Sequence, residues 1–287
     1  MKVSVIMNCH NGGAFLSEAL ESLFAQTFKD WELIFLNNNS TDQSKVILDK
    51  YKDKRIKYYE SGSTLELVKA RNLAIEKATH PWLAILDTDD IWSKDKLETF
   101  INTITNIKSV DFLFSECSTL NNNTHRSQNI SFNQNTILKD VLKLKLRIPW
   151  SSVVFSRKLF DSLNGFNEEF PNFHDLDFVI RAANFNTITF IKKDLVICRI
   201  HQKSVSQNNR ALGKYYPEIF SILNSYPKNF SSLIGLSVTY SRHLLELLLN
   251  KNHKLLALEL KKFRILEFGY LIIGVLINIS RKFSSVI

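Results

Sequence analysis

The chain is short of cysteine, and none of its apolar runs is long enough to cross a bilayer. Its three cysteines, Cys9, Cys117 and Cys198, are odd in number and widely separated. With no CxxC pair, they argue against a disulfide framework or a structural zinc site and suit a reducing cytoplasm. The most apolar stretch, Ile265 to Ile279, spans 15 residues and contains Glu267. A membrane span needs about 20 mostly apolar residues. The opening MKVSVIMNCHNGG has neither a long apolar core nor a small-residue cleavage site, so it is not read as a signal peptide. Internal repeats and long low-complexity segments are also missing. What is there is globular in character: 287 residues, 45% hydrophobic and 23% charged, enough for one large domain or a domain with an appendage.

Acidic residues are scarce in one region only. Residues 208–287 hold 11 Lys/Arg against 4 Asp/Glu, whereas residues 1–207 hold 26 against 24. The net charge of +9 therefore sits almost wholly in the tail. A basic tail suits nucleic acid, an anionic membrane surface or an acidic partner. Here Lys and Arg interleave with Leu and Ile, not with stacking aromatics, which favours a membrane surface over nucleic acid. Residues 243–283 read as basic, amphipathic helix lying at an interface. The alternative is a helical pair that packs on the preceding domain or joins two copies into a homodimer.

Before that tail, short apolar runs alternate with helical patterns. VSVIM (3–7), WELIFL (31–36), RIKYYE (55–60), WLAILD (82–87) and VDFLFSE (110–116) read as strands. Phe15, Leu16, Ala19, Leu20, Leu23 and Phe24 mark one helix face, and a further helix runs from about Leu65 to Ala78. Such alternation predicts βαβ units and a mainly parallel sheet with flanking helices. Ligands of such sheets bind beyond the carboxyl ends of the strands. NNNS (37–40) and DTDD (87–90) both fall there. Residues 118–135 read as a polar, Asn-rich loop. SSVVFS (151–156) is a strand, 157–166 a short helix ended at Gly165, 175–185 a helix, and 187–201 extended.

DTDD places three carboxylates in four positions directly after a strand. Hard divalent cations take oxygen ligands and often use one or two carboxylates, with water and substrate phosphates completing the shell. An acidic helix start before SKDKLETF explains the same residues through the helix dipole. On the residues alone, both readings stand.

Four blocks, in order, resemble family 2 glycosyltransferases of the GT-A fold over roughly residues 2–205. VSVIMNCHNGGAFLSEALESLFAQTFKDWELIFLNNNSTDQS is similar to the family's SVIxPxYN…QT…WELIxVDDxSTD opening. KARNLAIEKATHPWLAILDTDD resembles ARNxxxxxAxGxxxxxLDxDD, LNGFNEEFPNFHDLDFVIRAA resembles GGFDExxxxxEDxDLxxR, and CRIHQKSVSQ resembles RxHxxSxS. The resemblance implies inverting, metal-dependent transfer of a sugar from a nucleoside-diphosphate donor, with UDP-sugar expected, to a glycan or lipid-linked acceptor of surface polysaccharide. It implies Mn²⁺ or Mg²⁺ on Asp90 with Asp89, and Asp87 and Asp89 at the ribose or diphosphate. Asp175 falls on the family's general base, Arg71 on an arginine near the diphosphate, and His201 on a histidine near diphosphate and metal. Asn8, His10 and Asn37 occupy positions that touch the nucleoside.

Some positions depart from that pattern. Asn37 and Asn38 stand where acids are usual, NCHN replaces the usual Pro and Tyr, and His174 replaces the Glu beside Asp175. A catalytically weak nucleotide-sugar binder of the same fold is therefore the alternative function. A metal-dependent phosphatase would need a nucleophilic Asp ending the first strand, where Met7-Asn8-Cys9 stands. The expected organisation is a GT-A domain over 1–207, with a nucleotide half to 117 and an acceptor half over 118–207. A helical extension over 208–287 completes it. The expected location is cytoplasmic, peripheral on the inner membrane face.

Overall fold

The computed structural model describes residues 1–107, 109–121, 124–185, 187–202, 204, 215–226, 234–236, 238–239 and 242–243. Nearly all of the expected basic helix over 243–283 lies outside the described residues. The strands are β1 (Val3–Cys9), β2 (Trp31–Asn37), β3 (Ile56–Glu60), β4 (Trp82–Ile85), β5 (Ile91–Trp92), β6 (Phe112–Asn121), β7 (Thr124–Gln128), β8 (Val153–Ser156) and β9 (Ile188–Arg199). The helices are α1 (Leu16–Phe24), α2 (Ser44–Leu48), α3 (Leu67–Glu76), α4 (Lys96–Asn106), α5 (Ile137–Leu142), α6 (Arg157–Ser162), α7 (His174–Ala183) and α8 (Tyr215–Ser225). The chain divides into two units, one of residues 1–134 and 148–201, the other of 135–147 and 202–287.

In the first unit nine strands form one sheet in the order β3-β2-β1-β4-β8-β6-β9-β5, with β7 paired to β6. β1 and β2 are mostly apolar and buried along almost their whole length because both faces are covered, as in buried parallel sheets. The polar pair Ser4 and Glu32 is hydrogen-bonded within them. β1 pairs parallel with β2 and β4, and β2 with β3. The strand ends Cys9, Asn37, Glu60 and Ile85 therefore share one edge, and NNNS and DTDD meet there as expected. Beyond β4 the sheet is mixed: β8 runs antiparallel to β4 and β6, while β9 runs parallel to β6 and antiparallel to β5.

The Asn-rich segment expected as a loop is largely a hairpin, with β7 pairing antiparallel to the end of β6. β7 is exposed at every position, so no alternation of apolar residues marks it as a strand. α2 is only five residues long, and Asp42, just ahead of it, accepts from both the N–H and the hydroxyl of Ser44.

Leu16, Ala19, Leu20 and Leu23 form the buried stripe of α1, and Leu97, Phe100 and Ile104 that of α4. Gln26 ties these helices together, donating to Ser93 O and accepting from Leu97 N–H. Lys96 is wholly buried, with Nζ 4.1 Å from the Trp92 ring centre and 4.4 Å from that of Phe100. Burial holds its ammonium well below the usual lysine range. A separate aromatic cluster of Phe112, Trp150, Phe155, Phe160, Phe166 and Phe178 anchors α6 and α7 to β6 and β8. Each such ring, fully buried, contributes roughly 1.5–3 kcal/mol.

In the second unit α5 buries Ile137, Val141 and Leu142, and α8 buries Tyr216, Ile219, Ile222 and Leu223. Gly235 lies so close to the Leu142 carbonyl that a Cβ there would sit 1.9 Å from its oxygen.

Candidate active site

The DTDD segment leaves β4 as a turn closed by Asp90 N–H donating to Asp87 O at 3.2 Å. Its carboxylates have three different partners. Asp87 Oδ1 accepts from Arg71 Nη2 at 2.5 Å, Asp89 Oδ2 meets His201 Nε2 at 3.0 Å, and Asp90 Oδ1 accepts the Arg199 backbone N–H at 2.9 Å. Arg71 and His201, which the sequence places 130 residues apart, thus sit on neighbouring carboxylates of one turn. Asp90 alone of the three meets no Arg, Lys or His side chain in a salt-bridge contact among the described residues. Burial, then the charges of Asp89 and Asp87, push its carboxyl well above the usual range.

Arg71 comes from α3 and is buried, with its second guanidinium nitrogen 2.8 Å from His174 Nε2. A guanidinium can only donate, so Nε2 accepts and the imidazole is neutral with its proton on Nδ1. Burial and the Arg71 charge agree with this, holding the His174 pKa well below the usual value. The next residue, Asp175, lies in the first turn of α7 and is only partly shielded from solvent. The protein packed around it pushes its carboxyl up to about 6, against the pull of Arg71 and with the push of Asp87. A carboxylate with that pKa is mostly ionised at neutral pH yet basic enough to take a proton.

The loop after β1 closes the other side. A Cβ at Gly12 would lie 2.7 Å from Thr88 Oγ1 and 3.0 Å from its Cβ, so any larger residue would push this loop away from DTDD or displace Thr88. Phe15 packs on the His201 ring at 4.8 Å, and Arg199, 4.5 Å from the Phe15 ring, reaches Glu18 at 2.8 Å. His10 Nδ1 donates to Asn38 O at 2.7 Å. Asn8 has both amide atoms shielded from water and without a hydrogen-bond partner among the described residues. Asn37 is engaged internally: it donates to Tyr58 OH and accepts from Ser40 N–H. Asn38 brackets residues 61–65, accepting from Leu65 N–H and donating to Leu65 O.

The sequence assigns no role to Ser151 or Glu18, and it places Arg199 only as the arginine of the RxHxxSxS-like block. Ser151 lies in a 3-10 turn and leaves no side-chain pattern, and Arg199 contacts Asp90 through its backbone.

The model of glycosyl transferase family 2 matches residues 4–163, more than half of the chain. This protein belongs to that family. It is a glycosyltransferase with a GT-A fold. The chain is 29% identical over 213 residues to the Escherichia coli UDP-Glc:alpha-D-GlcNAc-diphosphoundecaprenol beta-1,3-glucosyltransferase WfgD, covering 72% of this chain and 80% of that protein. Its fold resembles S. aureus TarS 1–349 in complex with UDP-GlcNAc, with a TM-score of 0.65 at 20% identity over 85% of this chain and 73% of that one. It also resembles the Pyrobaculum calidifontis mannosyltransferase PcManGT in complex with GDP-Man and Mn²⁺, with a TM-score of 0.56 at 14% identity over 97% and 87% of the two chains.

The donor set fits a divalent cation. No group of three or more His, Cys, Asp or Glu among the described residues forms a closed cage. A hard cation held by one or two carboxylates plus a substrate's phosphates needs none. Burial beside Asp89 and Asp87 disfavours the ionised form of Asp90, and a bound cation would stabilise it.

Proposed function

We propose that this glycosyltransferase moves a sugar from a nucleoside-diphosphate donor, a UDP-sugar in the first instance, to a hydroxyl of a glycan or lipid-linked acceptor, with inversion at the anomeric carbon. The observation that carries the reading is the arrangement around Arg71. One buried guanidinium ties Asp87 of the donor-side turn to His174, whose neighbour Asp175 has the pKa of a general base. In this reading Asp175 takes the proton from the acceptor hydroxyl as its oxygen attacks the anomeric carbon. Arg71 holds Asp87 and moderates the charge near Asp175. Asp90, with Asp89 beside it, would hold Mn²⁺ or Mg²⁺, which when bound acts as a Lewis acid on the donor diphosphate. His201 orients Asp89, and Asn8, His10 and Asn37 line the nucleoside side.

The likeness to WfgD, named for transfer to a diphosphoundecaprenol-linked sugar, supports a role in surface polysaccharide synthesis. A lipid-linked acceptor in turn suits a cytoplasmic enzyme with peripheral membrane contact through the basic residues 208–287. Among the described residues no helix is long and apolar enough to cross a membrane. We take 1–207 as the catalytic region. The test is a thermal-shift and donor-hydrolysis screen of UDP-, GDP- and dTDP-sugars with and without Mn²⁺. A UDP-sugar stabilised and hydrolysed only with metal supports the reading; no response to any donor refutes it.

A further inference from the structure

The turn that carries Asp90 is clamped by a residue outside it. Ser151 is wholly buried and belongs to the 3-10 turn Trp150–Ser152 that leads into β8. Its hydroxyl oxygen accepts the Asp87 N–H at 3.1 Å. Ser151 is itself fixed, because its carbonyl accepts from Trp92 Nε1 at 2.9 Å while the Trp92 N–H donates to Ser22 Oγ at 3.1 Å. From the other side the Arg199 N–H holds Asp90 Oδ1.

We infer that Ser151 is a positioning residue for the cation-binding carboxylate, holding the backbone at Asp87 on one side of Asp90 and the Trp92 side chain on the other, so that Asp90 is in place before a cation arrives. The inference rests on the reading of Asp90 as the metal ligand. Groups that orient a metal ligand from behind typically change metal affinity about 10–100-fold when removed. Ser151 touches neither the donor nor the acceptor in this account, so its effect runs through Asp90 alone.

The experiment titrates Mn²⁺, followed by the electron paramagnetic resonance of the free ion, onto the full chain. The nucleoside diphosphate present is whichever of UDP, GDP and dTDP the wild type binds best with Mn²⁺. Four proteins are compared: wild type, Ser151→Ala, Asp90→Asn and the double variant. Ser151→Ala should bind Mn²⁺ about tenfold or more weakly. It should keep the wild-type affinity for the nucleotide in EDTA, and add no further loss to Asp90→Asn. Ser151→Cys, with a weaker acceptor of similar size, should fall between and carries the test where the alanine variant does not fold. Mn²⁺ affinity within about twofold of wild type in both Ser151 variants, with Asp90→Asn impaired, overturns the inference and leaves the reading of Asp90 intact. Wild-type Mn²⁺ binding by Asp90→Asn, or no Mn²⁺-dependent nucleotide binding by the wild type, overturns that reading and the inference with it.

Discussion

Replacing Arg71 by methionine keeps the aliphatic stem packed in α3 and removes both ends of its bridge. The guanidinium is 6% exposed and donates at 2.5 Å to Asp87 and at 2.8 Å to His174. Hydrogen bonds to charged groups are worth about 1.5–3 kcal/mol each, and a partner left buried and unpaired adds its desolvation cost. The Asp87 side chain is 31% exposed and can rehydrate, which lowers its share. A net loss of about 3 kcal/mol follows, or a melting temperature lower by roughly 6–12 °C for a domain of this size. Adding Asp87→Asn to Arg71→Met removes the orphaned carboxylate, so the double variant should recover part of the loss. The pH profile should move as well. Arg71 is the main influence holding Asp175 down, so without it the acid limb of kcat/KM shifts to higher pH. Differential scanning fluorimetry and initial rates from pH 5 to 8 read both effects. A melting temperature within about 1 °C of wild type with an unmoved acid limb would refute the bridge as drawn.

Asp175→Asn should lower kcat by about 10²–10⁴-fold. The base works when ionised, so wild-type kcat/KM should be full above its pKa and fall as the pH drops through about 6, which a pH–rate profile checks. Lys96→Met removes a buried ammonium from among aromatic rings. The depressed folded pKa of Lys96 means that wild-type stability grows as pH rises toward the ordinary value of 10.5. The variant should be more stable at pH 7 and lack that rise, in thermal melts from pH 7 to 10.

The sheet edge that forms the site was legible because β1, β2 and β4 are apolar runs with polar residues directly after them. Period and length suffice for such strands. β5 has only two residues, and β7 is exposed throughout, so their strand character comes from the partners β9 and β6, which local sequence does not name. The site shows the same division. Asp87, Asp89, Asp90 and Asp175 stood out as types in a pattern, and the structure brings Arg71 and His201 to them. What the pattern did not reveal was the use of each neutral group. Asn37 is occupied by Tyr58 and Ser40, Asn38 holds the 61–65 segment, and His174 accepts from Arg71 where an acid was expected. Those assignments depend on contacts between residues far apart in the chain. Two lone polar side chains, Ser151 and Lys96, are likewise indistinguishable in sequence from surface residues, yet both are wholly buried.

The most direct measurement is release of radiolabelled sugar from the donor by wild type, Asp90→Asn and Asp175→Asn, each with Mn²⁺ and with EDTA. Metal-dependent turnover is predicted for the wild type, none above background for Asp90→Asn with either addition, and for Asp175→Asn donor binding with metal but no transfer to an acceptor. Undiminished, metal-dependent turnover by Asp90→Asn would contradict the account.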